Sequence, residues 1–590
     1  MIGNRLHILA VTLLLSMSYT DISAQGTVCG GDGGGYPVSS DGKPLSLDAS
    51  IRTDTELDFS VASSLDVGKG WNTSLLGGFS GNFRTFDFNG DGYMDAPDML
   101  RFNLSNGWTF RASDGVQVRF GAGAMQDTER GGQQGYDCNA YMDMMRDRDW
   151  NQQLPWGSYT RDRSVGGYVE ASVPLASDGA GGFTVMADYT YYDRDSWAGG
   201  TEYLSGHHSA GMDIMYRNDI SERHSFAAGL SGAYDSYEES FLRLLTTVTQ
   251  GAGEAVATDY ASAGIFGKYT FRYGKKLVAS GSVRGDWYSR TGDSRPHFRV
   301  SPELEVRYSP NEMFVLHLGG GRKLGYEVPL MDNPGVFFTG KTFMGDWSSH
   351  ILEDAWTYGG DMTVSLPFWA SSDTYLKIGY YRTRFMQQSV VDYEYGNSVA
   401  NATQIWFYAL DGKRSYSDTF RIVFNVLPLE RFSVKAAFRY TNAMIEMKGY
   451  EYPVEKPLTS RFRGVLDLKY ATRMDKWTFG VTASVNGPSR VYSFMEDDVD
   501  EDGNLIYRNG RTPVYPVLDC RITRRLGMVE LYIGGENLTG FRQKHVILGS
   551  VKDDSGVVSA RQPSFDASAV WGPLMGVKVY AGVRFSLQKR

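Results

Sequence analysis

The stretch DFNGDGYMDAPD, residues 87 to 98, carries residue types at a spacing that could hold a hard cation. Calcium takes six to eight oxygens, and alternate carboxylates in a tight Gly turn supply them. Asp87, Asn89, Asp91 and Asp98 are the obvious ligands, with the Tyr93 carbonyl and Asp95 beside them. Asp98 stands where an EF-hand loop has Glu, and its shorter side chain closes a bidentate site less securely. The competing reading is a solvated acidic hairpin loop without an ion. DVDEDGNLIYRN, from Asp498, repeats the opening with Asp500, Asp502 and Gly503, but Asn509 leaves it without carboxylate closure. His207 and His208 are adjacent, and neighbours on a strand point to opposite faces, so the pair reads as surface residues of a loop. GGQ at 131–133 reads as a turn, and GGGRKLG at 319–325 lacks the Lys-Ser/Thr and helix of a phosphate loop. No HExxH, GxSxG or triad pattern is present, so no enzyme is expected. Cys29, Cys138 and Cys520 show no CxxC spacing, which argues against zinc and leaves one incidental bridge open. A net charge of −9 opposes nucleic acid as a partner.

The elements that must position these loops are strands. GNFRTF precedes the first acidic loop and LRFNLSNGWTF follows it, both strand-like, which excludes the EF-hand fold itself. Alternation runs through the body: Val577, Val579, Ala581, Val583, Phe585 and Leu587 on one face, Lys578, Tyr580, Gly582, Arg584 and Ser586 on the other. RFSVKAAFRY, FTVMADYTYY and KLVASGSVRGDW repeat it. A soluble sandwich also alternates. Segments of about ten residues or more and aromatics at strand ends, as at Trp287-Tyr288, Tyr380-Tyr381 and Trp571, favour a barrel in a membrane. The 69 glycines and 37 tyrosines suit many strands and tight turns. Short turns such as DVGKGW, RASDGV and SPNE contrast with long polar stretches, Gln126 to Ser164 and Gly487 to Pro513. At about 25 residues per strand with its connector, the chain makes an all-β, large antiparallel transmembrane barrel of about 22 strands. Short turns face the periplasm and long loops the exterior. Residues 1–24 read as a signal peptide, with Arg5 before an apolar core and Ser23-Ala24 before a cut. Residues 25–42 read as a Gly/Ser/Asp-rich linker and 43–590 as the barrel.

On several segments in order, the chain resembles the barrel of a TonB-dependent outer-membrane receptor. They are VSPELEVRYSPNEMFVLHLGGGRKLGY, GYYRTRFMQQSVVD, KRSYSDTFRI, KPLTSRFRGVLDLKYATR, GGENLTGFRQ and the closing WGPLMGVKVYAGVRFSL. The acidic loop and ERGGQQGY resemble the family's early loops. Tyr580, Gly582, Phe585 and Leu587 resemble the last-strand signal read by the barrel-assembly machinery; Lys589 and Arg590 extend past its usual end. The resemblance implies the outer membrane of a Gram-negative bacterium, contact with its lipid, and uptake of a scarce nutrient ligand: a metal chelate, siderophore, haem or corrinoid. It also implies a plug domain before the barrel, and the 25–42 linker is too short for one. The expectation is therefore a barrel without its plug and TonB contact, or one whose plug is separately encoded.

Strand parity puts residues 87–98 on the extracellular rim, between the third and fourth strands. Lys435, Arg439, Lys578 and Arg584 are expected to face a polar lumen. A passive plugless pore and a calcium-ordered surface-binding protein are the alternatives to a receptor.

Overall fold

The computed structural model describes residues 44–87, 92–147, 154–175, 180–244, 249–366, 374–398, 402–411, 414–496, 507–549 and 564–587. Among them, 25 strands join one sheet, antiparallel but for one pair of short loop strands. Three short strands, Thr342–Gly345, Gln404–Leu410 and Val454–Glu455, belong to loops, and the other 22 close into a barrel. Closure is direct: Leu45–Arg52 pairs antiparallel with Lys578–Leu587, from Leu45 opposite Leu587 to Arg52 opposite Tyr580. A closed sheet leaves no edge with unpaired amides, the condition for crossing hydrocarbon with strands.

The pleat sorts the side chains. In the last strand Val579 and Val583 stand outward and exposed, while Lys578 and Arg584 turn inward to Asp54 (3.2 Å) and Asp48 (2.5 Å). Leu100, Phe102, Leu104, Val165, Val169, Leu304 and Leu466 continue an outward apolar belt. Exposed apolar side chains on this scale are what lipid contact requires. The expected aromatic girdle is half right. Trp287 and Tyr380 point outward. Tyr381 turns inward and donates to Asp361 (2.6 Å). Trp571 lies in a loop, packed on Phe541 and Tyr515.

The turns predicted at Asp66–Trp71, Arg111–Val116 and Ser309–Glu312 join strands at one rim. Gly70 adopts φ +82 in the first, where a Cβ would meet the Arg111 carbonyl oxygen at 2.1 Å. The long connections all lie at the other rim. One boundary differs from expectation: Gln126–Gly132 and Gly157–Ser164 are paired strand, Gln126 opposite Arg163. Their polar composition imitates a loop because the charges pair across strands above the membrane: Arg101 with Asp127 (2.7 Å), Arg194 with Asp162 (2.7 Å), Arg163 with Asp193 (2.6 Å). Strands here reach 25 residues, Thr249–Tyr273, well past the roughly ten needed to cross.

Candidate functional site

The long loops do not splay outward. They fold over and into the upper lumen and build a hydrophobic core against the barrel wall. Tyr203 and Phe241 project inward near the upper ends of Thr201–Asp219 and His224–Leu244. Leu330, Val336, Phe337 and Phe343 from residues 328–350 pack on them, with Ile405 and Phe407 from residues 393–415. Val336 and Ile405 are 0 % exposed. Each large side chain so buried contributes about 1.5–3 kcal/mol, enough in sum to hold loops that carry little regular structure. Thr342–Gly345 and Gln404–Leu410 pair in parallel, which ties the two loops through their backbones. Of the final loop, residues 537–549 and 564–577 cross as a strap. Its Phe565, 0 % exposed, packs on Trp156 with ring centroids 4.9 Å apart. Gly340 N donates to Phe565 O (2.8 Å) and Ala567 N to Phe338 O (2.9 Å).

Buried charges are satisfied inside this cap. Arg243 is fully buried at the end of its wall strand. Its guanidinium donates to the carbonyls of Val336 (2.9 Å), Thr339 (2.9 Å) and Lys341 and lies 4.2 Å over the Phe343 ring. Five fixed donors suit a ring of carbonyls, which spreads the charge without a counter-ion. Lys341 and Asp566, both 0 % exposed, form an ion pair that joins residues 328–350 to the strap. Asp566 also accepts from Ser568 N (2.8 Å) and Oγ (2.7 Å), while the Lys341 ammonium sits 4.8 Å from the Phe494 ring. Arg490 holds Glu394 with two N–H groups, at 2.8 and 3.0 Å, and so joins residues 487–514 to 393–415. Glu455 receives Arg511 (2.6 Å) and Arg461 (2.8 Å). Burial raises the Glu455 carboxyl, but hydrogen bonds and charge from the two arginines outweigh it and hold the group below its usual range. Beneath the cap, Glu239 accepts from Tyr203 (2.6 Å) and contacts His350 Nε2 (3.1 Å).

The sequence-predicted calcium residues are only partly in view. Asn89 and Asp91 lie outside the described residues, as do Asp498, Asp500, Asp502 and Gly503 of the second loop. Asp87 Oδ2 accepts from Gly92 N (2.9 Å), and Asp95 N donates to Phe86 O (2.8 Å). Tyr93 bridges to Gln133 at the long-loop rim. Asp98 opens the strand Asp98–Arg111 opposite Arg130. No group of three or more His, Cys, Asp or Glu among the described residues is arranged to hold a metal.

Other expectations shift. His207 and His208 lie on a strand rather than in a loop, because Tyr237 and Tyr189 supply ring contacts on its two faces. His207 is buried, stacked on Tyr237 at 4.1 Å and 3.0 Å from Asp235. His208 faces out to the Tyr189 hydroxyl (2.7 Å). Gly131 and Gly132 end a strand instead of forming a turn. GGGRKLG is strand throughout. Cys138 and Cys520 are free thiols. In the closing strand, Tyr580 and Gly582 have a packing role of their own. Tyr532 lies over Gly582, whose Cβ would meet that ring at 2.3 Å, and Tyr580 lies over Gly534 in the same way at 2.4 Å. Phe585 and Leu587 take their places opposite Leu47 and Leu45. Sequence reasoning missed the cap. Its signal was PGVFFTGKTF, an apolar run in the connection between the strands ending at Glu327 and beginning at Ile351.

A closed barrel of 22 antiparallel strands, apolar outside, polar inside and long-looped at one rim, is a large outer-membrane β-barrel. No protein-family model and no curated protein sequence matches the chain. Solved structures do. The siderophore receptor PiuA from Acinetobacter baumannii superposes with TM-score 0.61 at 12% identity, over 93% of this chain and 82% of that one. The FrpB iron transporter from Neisseria meningitidis (F5-1 variant) gives 0.62 at 10% identity, over 92% and 82%. The unliganded ferric citrate transporter FecA gives 0.59 at 14%, over 92% and 78%. At such identities the likeness establishes a shared fold, the barrel expected from the sequence.

Proposed function

We propose that this protein is an outer-membrane receptor barrel of the TonB-dependent type that admits a small, scarce nutrient through a mouth closed by its own loops. The observation that carries this reading is the cap. Three loops far apart in sequence, residues 328–350, 393–415 and 487–514, share one core inside the outer mouth, and the fully buried Lys341–Asp566 pair ties the final loop to them. A passive pore gains nothing from that construction, whereas a receptor that must exclude bulk solutes does. The structural neighbours are described as siderophore and iron receptors or transporters, which supports a metal chelate as cargo. Residues 1–24 would direct export, and the mature chain would sit in the outer membrane of a Gram-negative cell.

Conductance in planar bilayers tests the closure. The wild-type barrel should be nearly silent, and replacing residues 330–348 with a short Gly/Ser linker should give steady large-conductance steps. Steady large steps from the wild type would instead establish the plugless pore. Binding of ferric citrate, haemin and cyanocobalamin to intact producing cells then separates the cargo classes. Absence of binding for all three would reject uptake of these classes.

A further inference from the structure

The lumen wall is built mostly from compensated charge. Arg101 stands opposite Asp127, Asp162 opposite Arg194, and Asp48 opposite Arg584. One sector breaks that rule. Arg421 of Tyr416–Leu429 is directly opposite Arg439 of Phe432–Ile445. Arg439 is in turn directly opposite Arg463 of Phe462–Ala471, and Arg463 is opposite Asn486. Three arginines thus share one row across three adjacent strands. The pleat turns them inward, because Phe438, Tyr440 and Leu466 between them carry the outward apolar face.

The row is short of acid. Arg421 reaches Asp361 at 3.3 Å, but that carboxylate also takes Lys377 at 3.1 Å and the Tyr381 hydroxyl at 2.6 Å. Arg439 and Arg463 are exposed to the lumen, and neither pairs with a carboxylate among the described residues. Two inward positions toward the short-turn rim, past Ala437, Lys435 stands opposite Asp467 and Asn425, which restores the alternating rule. Like charges directly opposite on neighbouring strands destabilise a sheet. A wall that keeps three of them aligned, with Arg439 and Arg463 exposed to the lumen, is suited to bidentate capture of an oxyanion with several charges. The row also has a position that matters. Arg463 is the second residue of its strand, immediately below the loops that form the cap.

We propose that Arg421, Arg439 and Arg463, with the Asn486 amide, form an anion-binding strip in the lumen at the base of the cap, for a small ligand bearing several carboxylate or phosphate groups. This rests on the reading of the barrel as a small-ligand receptor and narrows its cargo to an anionic species. A ligand passing the cap meets the strip first.

The test is calorimetric titration of the purified full-length barrel in zwitterionic detergent at low ionic strength, where screening is weak. The probes are tricarballylate, inorganic phosphate and acetate. Tricarballylate or phosphate should bind at least tenfold more tightly than acetate, and which of the two wins identifies the oxyanion. R439Q/R463Q should lose at least tenfold in that affinity, and R439K/R463K, which keeps charge but not the fork, should fall between. R163Q, an outward arginine paired with Asp193, should bind as wild type does. R439Q/R463Q should also melt at a higher temperature without ligand, because a repulsion is removed. That rise shows the variant is folded. Equal weak binding of all three probes, or unchanged binding by R439Q/R463Q, would overturn the proposal. Anion binding without uptake by cells would leave the strip standing and sink only the receptor reading.

Discussion

Breaking the Lys341–Asp566 pair should open the cap by a measurable amount. Both residues are completely buried, and they join two loops separated by 225 residues of chain. Removing one partner of such a pair leaves a buried uncompensated charge and costs about 3–5 kcal/mol. The two ends are not equivalent. In Lys341→Met, Asp566 keeps its donors Ser568 N and Oγ, so the cost falls near the lower figure. In Asp566→Leu, the ammonium keeps only the face of Phe494, so the cost falls near the upper figure. Lys341→Met/Asp566→Leu removes both charges and should return close to the parent, since apolar replacement of a whole buried pair is commonly neutral. The reporter is Val336→Cys, 0 % exposed in the cap core, in a chain with Cys29, Cys138 and Cys520 changed to Ser. When reclosing outpaces modification, the maleimide labelling rate follows the open population. At about 1.4 kcal/mol per factor of ten, Lys341→Met should label roughly 150-fold faster and Asp566→Leu up to roughly 4000-fold faster. The double variant should lie within about tenfold of the parent. Single variants labelling within threefold of the parent would show that this pair does not hold the cap, and the reasoning would fail.

Gly582→Ala should destabilise barrel closure by about 1–3 kcal/mol, because its methyl would meet the Tyr532 ring at 2.3 Å and the Ala49 carbonyl at 2.6 Å; a lower urea midpoint for loss of the heat-modifiable gel form checks this, and Gly582→Ala/Tyr532→Ala should recover part of the loss. The Glu455 clamp has a depressed folded pKa, so its stabilisation is present above the ordinary Glu range and is lost only as pH falls through the depressed value; protease nicking within residues 487–514 should be flat from pH 7 to about pH 5 and rise below about pH 4, and Glu455→Gln should nick at the acid rate throughout. Calcium at residues 87–98 should raise the thermal midpoint of the wild type and leave Asp87→Ala/Asp91→Ala unmoved; equal shifts in both would place any calcium elsewhere. N-terminal sequencing of the membrane-borne protein should begin at Gln25 if residues 1–24 are an export signal.

Much of the barrel was legible because its cause is local. A strand facing lipid on one side and water on the other must alternate, and Lys578 to Leu587 does so residue by residue. The short turns were equally plain, since Gly68 and Gly70 need positive φ within three residues. The cap was not legible, for the opposite reason. Arg243 finds its carbonyls more than 90 residues away, and no spacing along the chain reveals that. Charge misled where it pairs across strands: Arg161, Asp162 and Arg163 read as loop, yet each meets an opposite charge on the next strand. The arginine row shows the same limit, because Arg421, Arg439 and Arg463 are unremarkable until register aligns them.

The strap also carries a consequence for the order of events at the membrane. Phe565 and Asp566 lie between the penultimate and final strands, so their place over the mouth exists only once Lys578–Leu587 has joined Leu45–Arg52. Contacts of such long sequence separation form late, after the chain entropy between them has been spent. The newly inserted barrel therefore passes through a stage with a formed wall and an unlatched mouth. Any factor that stalls the last strand would leave a hole in the envelope as well as an unclosed barrel.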